Sequence, residues 1–331
     1  MNQPASILRL ARALAITIAI VGLCGLAGTA SAGVDAAASA TCVSCHDAED
    51  LPDMSRSAHA AGKDPRAPGC VSCHGPSLTH VTKPAGVKER PHPDRMFGKK
   101  SMVNVAEANG ACLGCHQKDA KHALWRGSQH DNADVACSSC HKVHTNHDKV
   151  MTKATQPEVC YACHKEQRTQ VQRASHHPIP EGKMSCSDCH NVHGSVGPKL
   201  AKRDSTNGTC FDCHAEKRGP FVHQHEPVVD DCANCHNPHG SNVASLLKAR
   251  APMLCQQCHT PHVAGGVGAV GGQPGIYTPA VPGGTTAITP TTNGKNVVNI
   301  WQGRSCTNCH TQVHGSNNPS ATNPTPQFMF R

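Results

Sequence analysis

Cys186-Ser-Asp-Cys-His-Asn-Val-His193-Gly-Ser, Cys232-Ala-Asn-Cys-His-Asn-Pro-His239-Gly-Ser and Cys306-Thr-Asn-Cys-His-Thr-Gln-Val-His314-Gly-Ser are three versions of one pattern. Its core, Cys-x-x-Cys-His, occurs ten times in the 331 residues. The sulfur pairs are Cys42 and Cys45, Cys70 and Cys73, Cys112 and Cys115, Cys137 and Cys140, Cys160 and Cys163, Cys186 and Cys189, Cys210 and Cys213, Cys232 and Cys235, Cys255 and Cys258, and Cys306 and Cys309. The histidines that close them are His46, His74, His116, His141, His164, His190, His214, His236, His259 and His310. Chance at this composition would give about 0.1 copies. Between the cysteines the residues vary freely, as in Val-Ser, Leu-Gly, Tyr-Ala and Gln-Gln.

The spacing has a chemical reason. Cysteines three apart lie about one helical turn apart. Their sulfurs can form thioethers to the two vinyl groups of one haem, and the next residue, histidine, reaches the iron as the proximal ligand. A disulfide framework needs no histidine after every second cysteine. Zinc sites built from paired Cys-x-x-Cys would leave the ten histidines unexplained, and a thioredoxin-type site needs one such pair. The expected cofactor is therefore ten covalently bound haems c. That also answers a problem of composition. The chain has 2 Trp, 2 Tyr and 5 Phe, with 29 Gly and 24 Pro. Side chains this small cannot fill a large core, so the haems must take its place. The expected fold class is a multihaem cytochrome c, mostly irregular coil with short α-helices around a linear array of ten haems, and essentially no β-sheet.

The first 32 residues read as a cleaved signal peptide. Arg9 and Arg12 precede an apolar run, and Ala30-Ser-Ala32 fits a small-residue cleavage site. The run is too short to span a membrane. Removing it takes away Cys24 and leaves the 20 motif cysteines. Residues 33–331 are expected to form the decahaem domain. The formal charge of the whole chain is +8. Two propionates per haem turn the mature protein net negative, so its basic residues read as partners of propionates rather than of nucleic acid.

Fifteen further histidines fall into a pattern. One leads the second motif of each pair: His59, His130, His177 and His225, with His262 in that role for the last pair. Another trails the same motif: His80, His144, His193, His239 and His314. These ten are the expected distal ligands; which serves which haem is open. His92, His122, His147, His176 and His223 are left for surface or hydrogen-bonding roles. The 8 methionines hold no fixed offset from the motifs, which favours bis-histidine ligation over methionine. The chain thus reads as five two-haem repeats starting near residues 42, 112, 160, 210 and 255. A Gly/Thr/Pro-rich insertion, 263–299, interrupts the last, and a tail follows from Asn317. Helices are expected from Pro157 to about Ser175 and from Ser241 to Arg250.

Several stretches resemble the periplasmic decahaem cytochromes of the MtrA/DmsE/PioA type. They include His130-Asp-Asn-Ala-Asp-Val-Ala-Cys-Ser-Ser-Cys-His141, Cys213-His-Ala-Glu-Lys-Arg-Gly-Pro220, Arg250-Ala-Pro-Met-Leu-Cys-Gln-Gln-Cys-His259 and the run from Gly303 to Ser316. The resemblance places the family's distal histidines on the same ten positions. The insertion before Trp301 and the extra histidines depart from it. The family implies a periplasmic protein held at the outer membrane inside a β-barrel porin of the MtrB/PioB type. It implies a periplasmic or inner-membrane cytochrome as one redox partner, and an extracellular multihaem cytochrome or terminal reductase as the other. Metal or DMSO respiration, or iron oxidation, would be the process served. A barrel lumen also suits an irregular chain that cannot face lipid. The competing classes are a periplasmic shuttle or electron store, and a multihaem reductase. A reductase needs an iron with an open position, for which no altered motif gives a cue. The expected assignment is a non-enzymatic electron carrier with no nucleic-acid partner and no direct lipid contact.

Intact mass of the exported protein is the first check: a chain starting at Gly33 with ten haem additions is expected, and a mass fitting nine would remove the weakest motif.

Overall fold

The computed structural model describes residues 39–46, 51–60, 67–99, 101–259, 276–277, 298–299, 306–308 and 310–318. The leader, His262, Cys309 and most of 263–299 lie outside the described residues. Two compact units are present. One comprises the chain up to Val103 together with the short segment Val143–Asn146; the other comprises Asn104–Lys142 and the chain from His147 onward.

Regular structure is sparse among the described residues, and what there is gathers at the Cys-x-x-Cys-His motifs. Cys70–His74, Cys137–Cys140 and Cys186–Cys189 are single helical turns that begin on the first cysteine of a motif. Val105–His116 is the longest helix described, and it delivers a whole motif at its end. Asn104 starts it: its side chain accepts the backbone N–H of Glu107, and Glu107 supplies the negative charge favoured in a first turn. Among the described residues strand pairing is limited to a two-residue parallel contact, Ile276–Tyr277 with Val298–Asn299, and to isolated bridges. The coil-dominated class expected from composition is what is found.

Two expected helices differ. The stretch from Pro157 splits into Gln156–Cys160 and Lys165–Gln170. His164 between them leaves the helical region, with φ −83° and ψ 66°. The motif itself is the break, because its histidine has to turn away from the helix that carries its first cysteine. The second expected helix, 241–250, is replaced by one 3-10 turn, Ala244–Leu246, with Ser245 at φ 59°. Its backbone groups are engaged elsewhere. Leu246 O accepts from Asn237 N at 2.8 Å, and Ser241 exchanges both backbone bonds with Ser175 at 2.8 and 2.9 Å. Local helix propensity loses to these tertiary bonds.

That exchange is one of a set. His223 and Ser316 pair in the same way, at 2.8 and 2.9 Å. Each joins the strand-like segment two residues before a leading histidine to the serine of the His-Gly-Ser that trails the next motif pair. The intervening glycines allow the close approach. A Cβ on Gly240 (φ +148°) would lie 2.0 Å from Gln170 O, and one on Gly194 (φ +121°) would lie 2.0 Å from Leu124 O. The described buried apolar residues are few: Leu113, Trp125, Tyr161, Val171, Leu200 and three alanines. Backbone joints, rather than a continuous side-chain core, therefore link one repeat to the next.

Gly240→Ala should lower stability by at least about 1–3 kcal/mol through backbone strain alone, with the overlap on Gln170 O adding to it. Guanidinium unfolding of the haem-loaded variant measures this.

Candidate haem-binding site

Among the described residues, four of the five pairs of motifs are clamped by a polar side chain. Asn109, three residues before Cys112, accepts the backbone N–H of Cys137 at 2.8 Å and donates to Val135 O at 3.2 Å. Asn207, three residues before Cys210, accepts from Cys232 N at 2.6 Å and donates to Val228 O and Val229 O at 2.9 Å. Ser39 holds the same offset before Cys42, and its hydroxyl accepts from Cys70 N at 3.0 Å. Gln156 does the equivalent for Ser187 N at 2.9 Å. Asn109 and Asn207 are only 2% and 8% exposed. A buried amide held this way would be costly to leave unpaired. The signal was present in the sequence as Asn-Gly-Ala-Cys112 and Asn-Gly-Thr-Cys210, although it carries no haem chemistry of its own.

The clamp brings the first cysteines of a pair together. Thiol contacts join Cys42 with Cys70, Cys112 with Cys137, Cys160 with Cys186, Cys210 with Cys232, and Cys255 with Cys306. All five sequence-defined pairs obey it. Among the described residues none of these cysteines is in a disulfide. After burial, the charges of cysteines in the next pair also raise the second cysteines: Cys163 acts on Cys140, Cys210 and then Cys213 on Cys189, and Cys258 on Cys235.

The histidines are oriented by what their Nδ1 touches. In the second motifs, Nδ1 of His74 lies 3.0 Å from Arg95 O, that of His190 3.0 Å from Lys199 O, and that of His236 2.7 Å from Ser245 O. Non-motif histidines do likewise: His80 on Pro91 O at 2.7 Å, and His130, His177 and His225 on Val192 O, Pro238 O and Val313 O at 2.9 Å. A carbonyl only accepts, so Nδ1 must carry the proton, and Nε2 keeps its lone pair. His141 differs: its Nδ1 meets a carboxylate, Asp148 Oδ2, at 2.8 Å.

The rings then pair off. His46 faces His80 at 6.0 Å between centroids, 9° from parallel. His74 faces His144 at 5.8 Å. His141 faces His193 at 6.0 Å, His190 faces His239 at 6.1 Å, and His236 faces His314 at 6.1 Å. His164 faces His130 at 6.2 Å, His214 faces His177 at 6.3 Å, and His259 faces His225 at 6.0 Å. A metal–imidazole nitrogen bond is about 2 Å, so rings on opposite sides of one iron have centroids roughly 6 Å apart. Eight motif histidines thus face eight of the expected partners at a separation that fits an iron between them. Of the remaining expected residues, His59 is half-buried, with its backbone N–H on Ser57 Oγ at 3.1 Å. His262 and Cys309 lie outside the described residues.

Burial keeps these side chains in the form that can bind metal. His193 is pushed down to about 4, chiefly by burial and then by the charges of His122 and His141. Burial likewise lowers His144, His190, His239 and His314. Each stays neutral near pH 7, as a ligating imidazole must. His122 was expected at the surface or in a hydrogen bond. It packs with its centroid 4.1 Å from that of His193 and 5.9 Å from that of His116, and its Nδ1 lies 3.6 Å from Asp119 Oδ2. Trp125 also faces His193, at 6.3 Å. Trp125 Nε1 and His122 Nδ1 are buried without a hydrogen-bond partner. Haem propionates are acceptors such groups could use, so the residues present fit the group.

A coil-rich chain whose paired Cys-x-x-Cys-His motifs are backed by opposed histidines is a multihaem c-type cytochrome, an electron-transfer protein carrying covalent haem c. Family models agree. A doubled CXXCH motif matches residues 176–219 and 225–264, and a cytochrome c-type NrfB-like model matches 70–156. Among curated proteins, the multiheme cytochrome MtrA of Shewanella baltica is 46% identical over 253 residues, covering 76% of this chain and 68% of that protein. The cytochrome c-type proteins NrfB of Haemophilus influenzae and Escherichia coli are 35% and 36% identical over 119 and 104 residues. These cover 34% and 30% of this chain and about half of each relative, 51% and 50%. The chain belongs to the MtrA family of multihaem cytochromes.

Asn207→Ala removes both ends of one clamp. A loss of about 1–3 kcal/mol is expected, read by guanidinium unfolding of the loaded protein.

Proposed function

We propose that the chain carries ten haems c in five pairs and passes electrons between the periplasm and the cell exterior inside an outer-membrane β-barrel. In this reading the ten motif cysteine pairs hold the haems, and the ten motif histidines are the proximal ligands. His59, His80, His130, His144, His177, His193, His225, His239, His262 and His314 are the distal ligands.

The observation that carries the proposal is the rule the ring pairs obey. The second-motif histidine of one pair faces the trailing histidine of the next: His74 with His144, His141 with His193, His190 with His239, His236 with His314. The first-motif histidine faces the leading histidine of the pair before: His164 with His130, His214 with His177, His259 with His225. Neighbouring haem pairs are thereby tied together through their own ligands. Haem supplies one-electron chemistry at iron. The chain orients these imidazoles through their Nδ1 contacts so that an iron would be held between two of them. Held in that way the iron would have no position left for a substrate, which would favour a carrier over an enzyme.

A barrel would suit this backbone. No helix among the described residues is long and apolar enough to cross a membrane. A chain of short turns would leave its amide groups unsatisfied in lipid. A polar barrel lumen removes that cost, and a row of ten haems suffices for a hydrocarbon core of ~30 Å. The likeness to MtrA supports the same arrangement. A periplasmic or inner-membrane cytochrome on one side and an extracellular cytochrome or terminal reductase on the other are the partners proposed with it.

Two measurements test this. Electron paramagnetic resonance of the oxidised protein should show only low-spin iron; a stoichiometric high-spin signal would favour a reductase. Liposomes enclosing a redox dye should exchange electrons with an outside reductant only when an outer-membrane β-barrel porin of the MtrB/PioB type is inserted with it. Equal exchange without the barrel would overturn the conduit. Failure to co-purify with the barrel would point to a free shuttle.

A further inference from the structure

Within the larger unit three second-motif histidines occupy equivalent positions, and one is held differently. His190 and His236 each place Nδ1 on a backbone carbonyl nine residues downstream, at Lys199 and Ser245. In both cases the accepting residue sits in a 3-10 turn with positive φ, 52° at Lys199 and 59° at Ser245. The corresponding turn after His141 is Lys149–Met151, and there the acceptor is the side chain of its capping residue, Asp148. The Nδ1–Oδ2 distance is 2.8 Å. Asp148 is largely buried, its side chain 17% exposed. Among the described residues no lysine or arginine forms an ion pair with it. Its other oxygen receives the N–H of Val150 at 3.4 Å, a weak cap.

A carboxylate in this place is not equivalent to a carbonyl. It carries a full negative charge, and a hydrogen bond to an ionised acceptor is roughly twice as strong as a neutral one. Drawing the Nδ1 proton toward Oδ2 leaves more electron density on Nε2, so the imidazole becomes a stronger donor. A stronger donor and a nearby negative charge both favour the iron when it carries the extra positive charge. We infer that Asp148 is a positioning residue that sets the potential of the haem at Cys137–Cys140 below those at Cys186–Cys189 and Cys232–Cys235. That haem is then the last of the three to accept an electron and the first to give one up. The inference rests on the ligation proposed above and goes beyond it, because it ranks sites that the motifs make alike.

The test uses the full chain, exported with its leader, haem-loaded and titrated spectroscopically against potential. His193→Met, His239→Met and His314→Met each exchange one distal ligand, and methionine raises potential. Each variant should move one component of the curve upward, which labels the three haems in turn. The component moved by His193→Met should start lowest. Asp148→Asn keeps an oxygen for Nδ1–H and keeps the cap, but removes the charge. It should shift the same component upward by about tenfold in its one-electron equilibrium, which is about 59 mV, and leave the other two in place. Asp148→Glu, which retains the charge, should stay near the parent curve. If Asp148→Asn fails to take up its full set of haems, the ranking of the three methionine variants decides alone. If His193→Met moves nothing, the ligand reading fails. If it moves a component that starts above the other two, or one that Asp148→Asn leaves still, the ligand reading stands and Asp148 does not set the potential.

Discussion

The structure depends on a single spacing, the roughly 6 Å between opposed imidazoles, and on the fact that the two rings usually come from different repeats. A chain with two tryptophans and two tyrosines has little apolar surface to bury. What it has instead is a series of fixed points at which one segment must reach another. The other joints serve this requirement. The buried asparagines set the two motifs of a pair side by side. The Ser175–Ser241 and His223–Ser316 bridges bring His239 and His314 up to the preceding repeat. The glycine between histidine and serine removes the Cβ that would collide there. Helices are short because none of these contacts needs a long one.

Much of this was legible in the residues. Haem attachment, the cysteine pairing in twos and the identity of most ring partners followed from motif spacing alone, since covalent chemistry constrains residue type at every copy. The pairing rule did not follow. Leading and trailing histidines sit close in sequence to a motif that is not the one they face, and nothing in linear spacing shows that most of them reach into a neighbouring repeat. The Nδ1 partners were equally hidden, because most are backbone carbonyls and a carbonyl leaves no mark on residue type. Asp148 is the exception, and its meaning emerges only by comparison with Lys199 and Ser245.

The two helices that were expected and not found share one cause. Residues 157–175 and 241–250 have acceptable local propensity. In each, a group that helix formation would consume is needed elsewhere: His164 for its partner across the repeat boundary, Ser241 for its bridge. His122 teaches the opposite lesson. It obeys neither histidine offset, so spacing treats it as spare, yet it packs against one of the best-buried rings in the protein. Regular patterns identify the residues a repeat needs; they are silent about a side chain that serves one boundary only.

The onward passing of ligands also has a consequence for how such a protein is made. Export delivers the chain from its amino end. Under the proposed ligation, His164, His214 and His259 look back to partners that have already emerged, so their haems can close at once. His74, His141, His190 and His236 look forward, and each must wait until the next repeat arrives. Under that ligation the growing molecule would carry one half-coordinated haem at its leading edge, sealed by each new repeat as it opens the next. Maturation would then be a directional process, in which the order of the sequence is also the order in which the metal sites close.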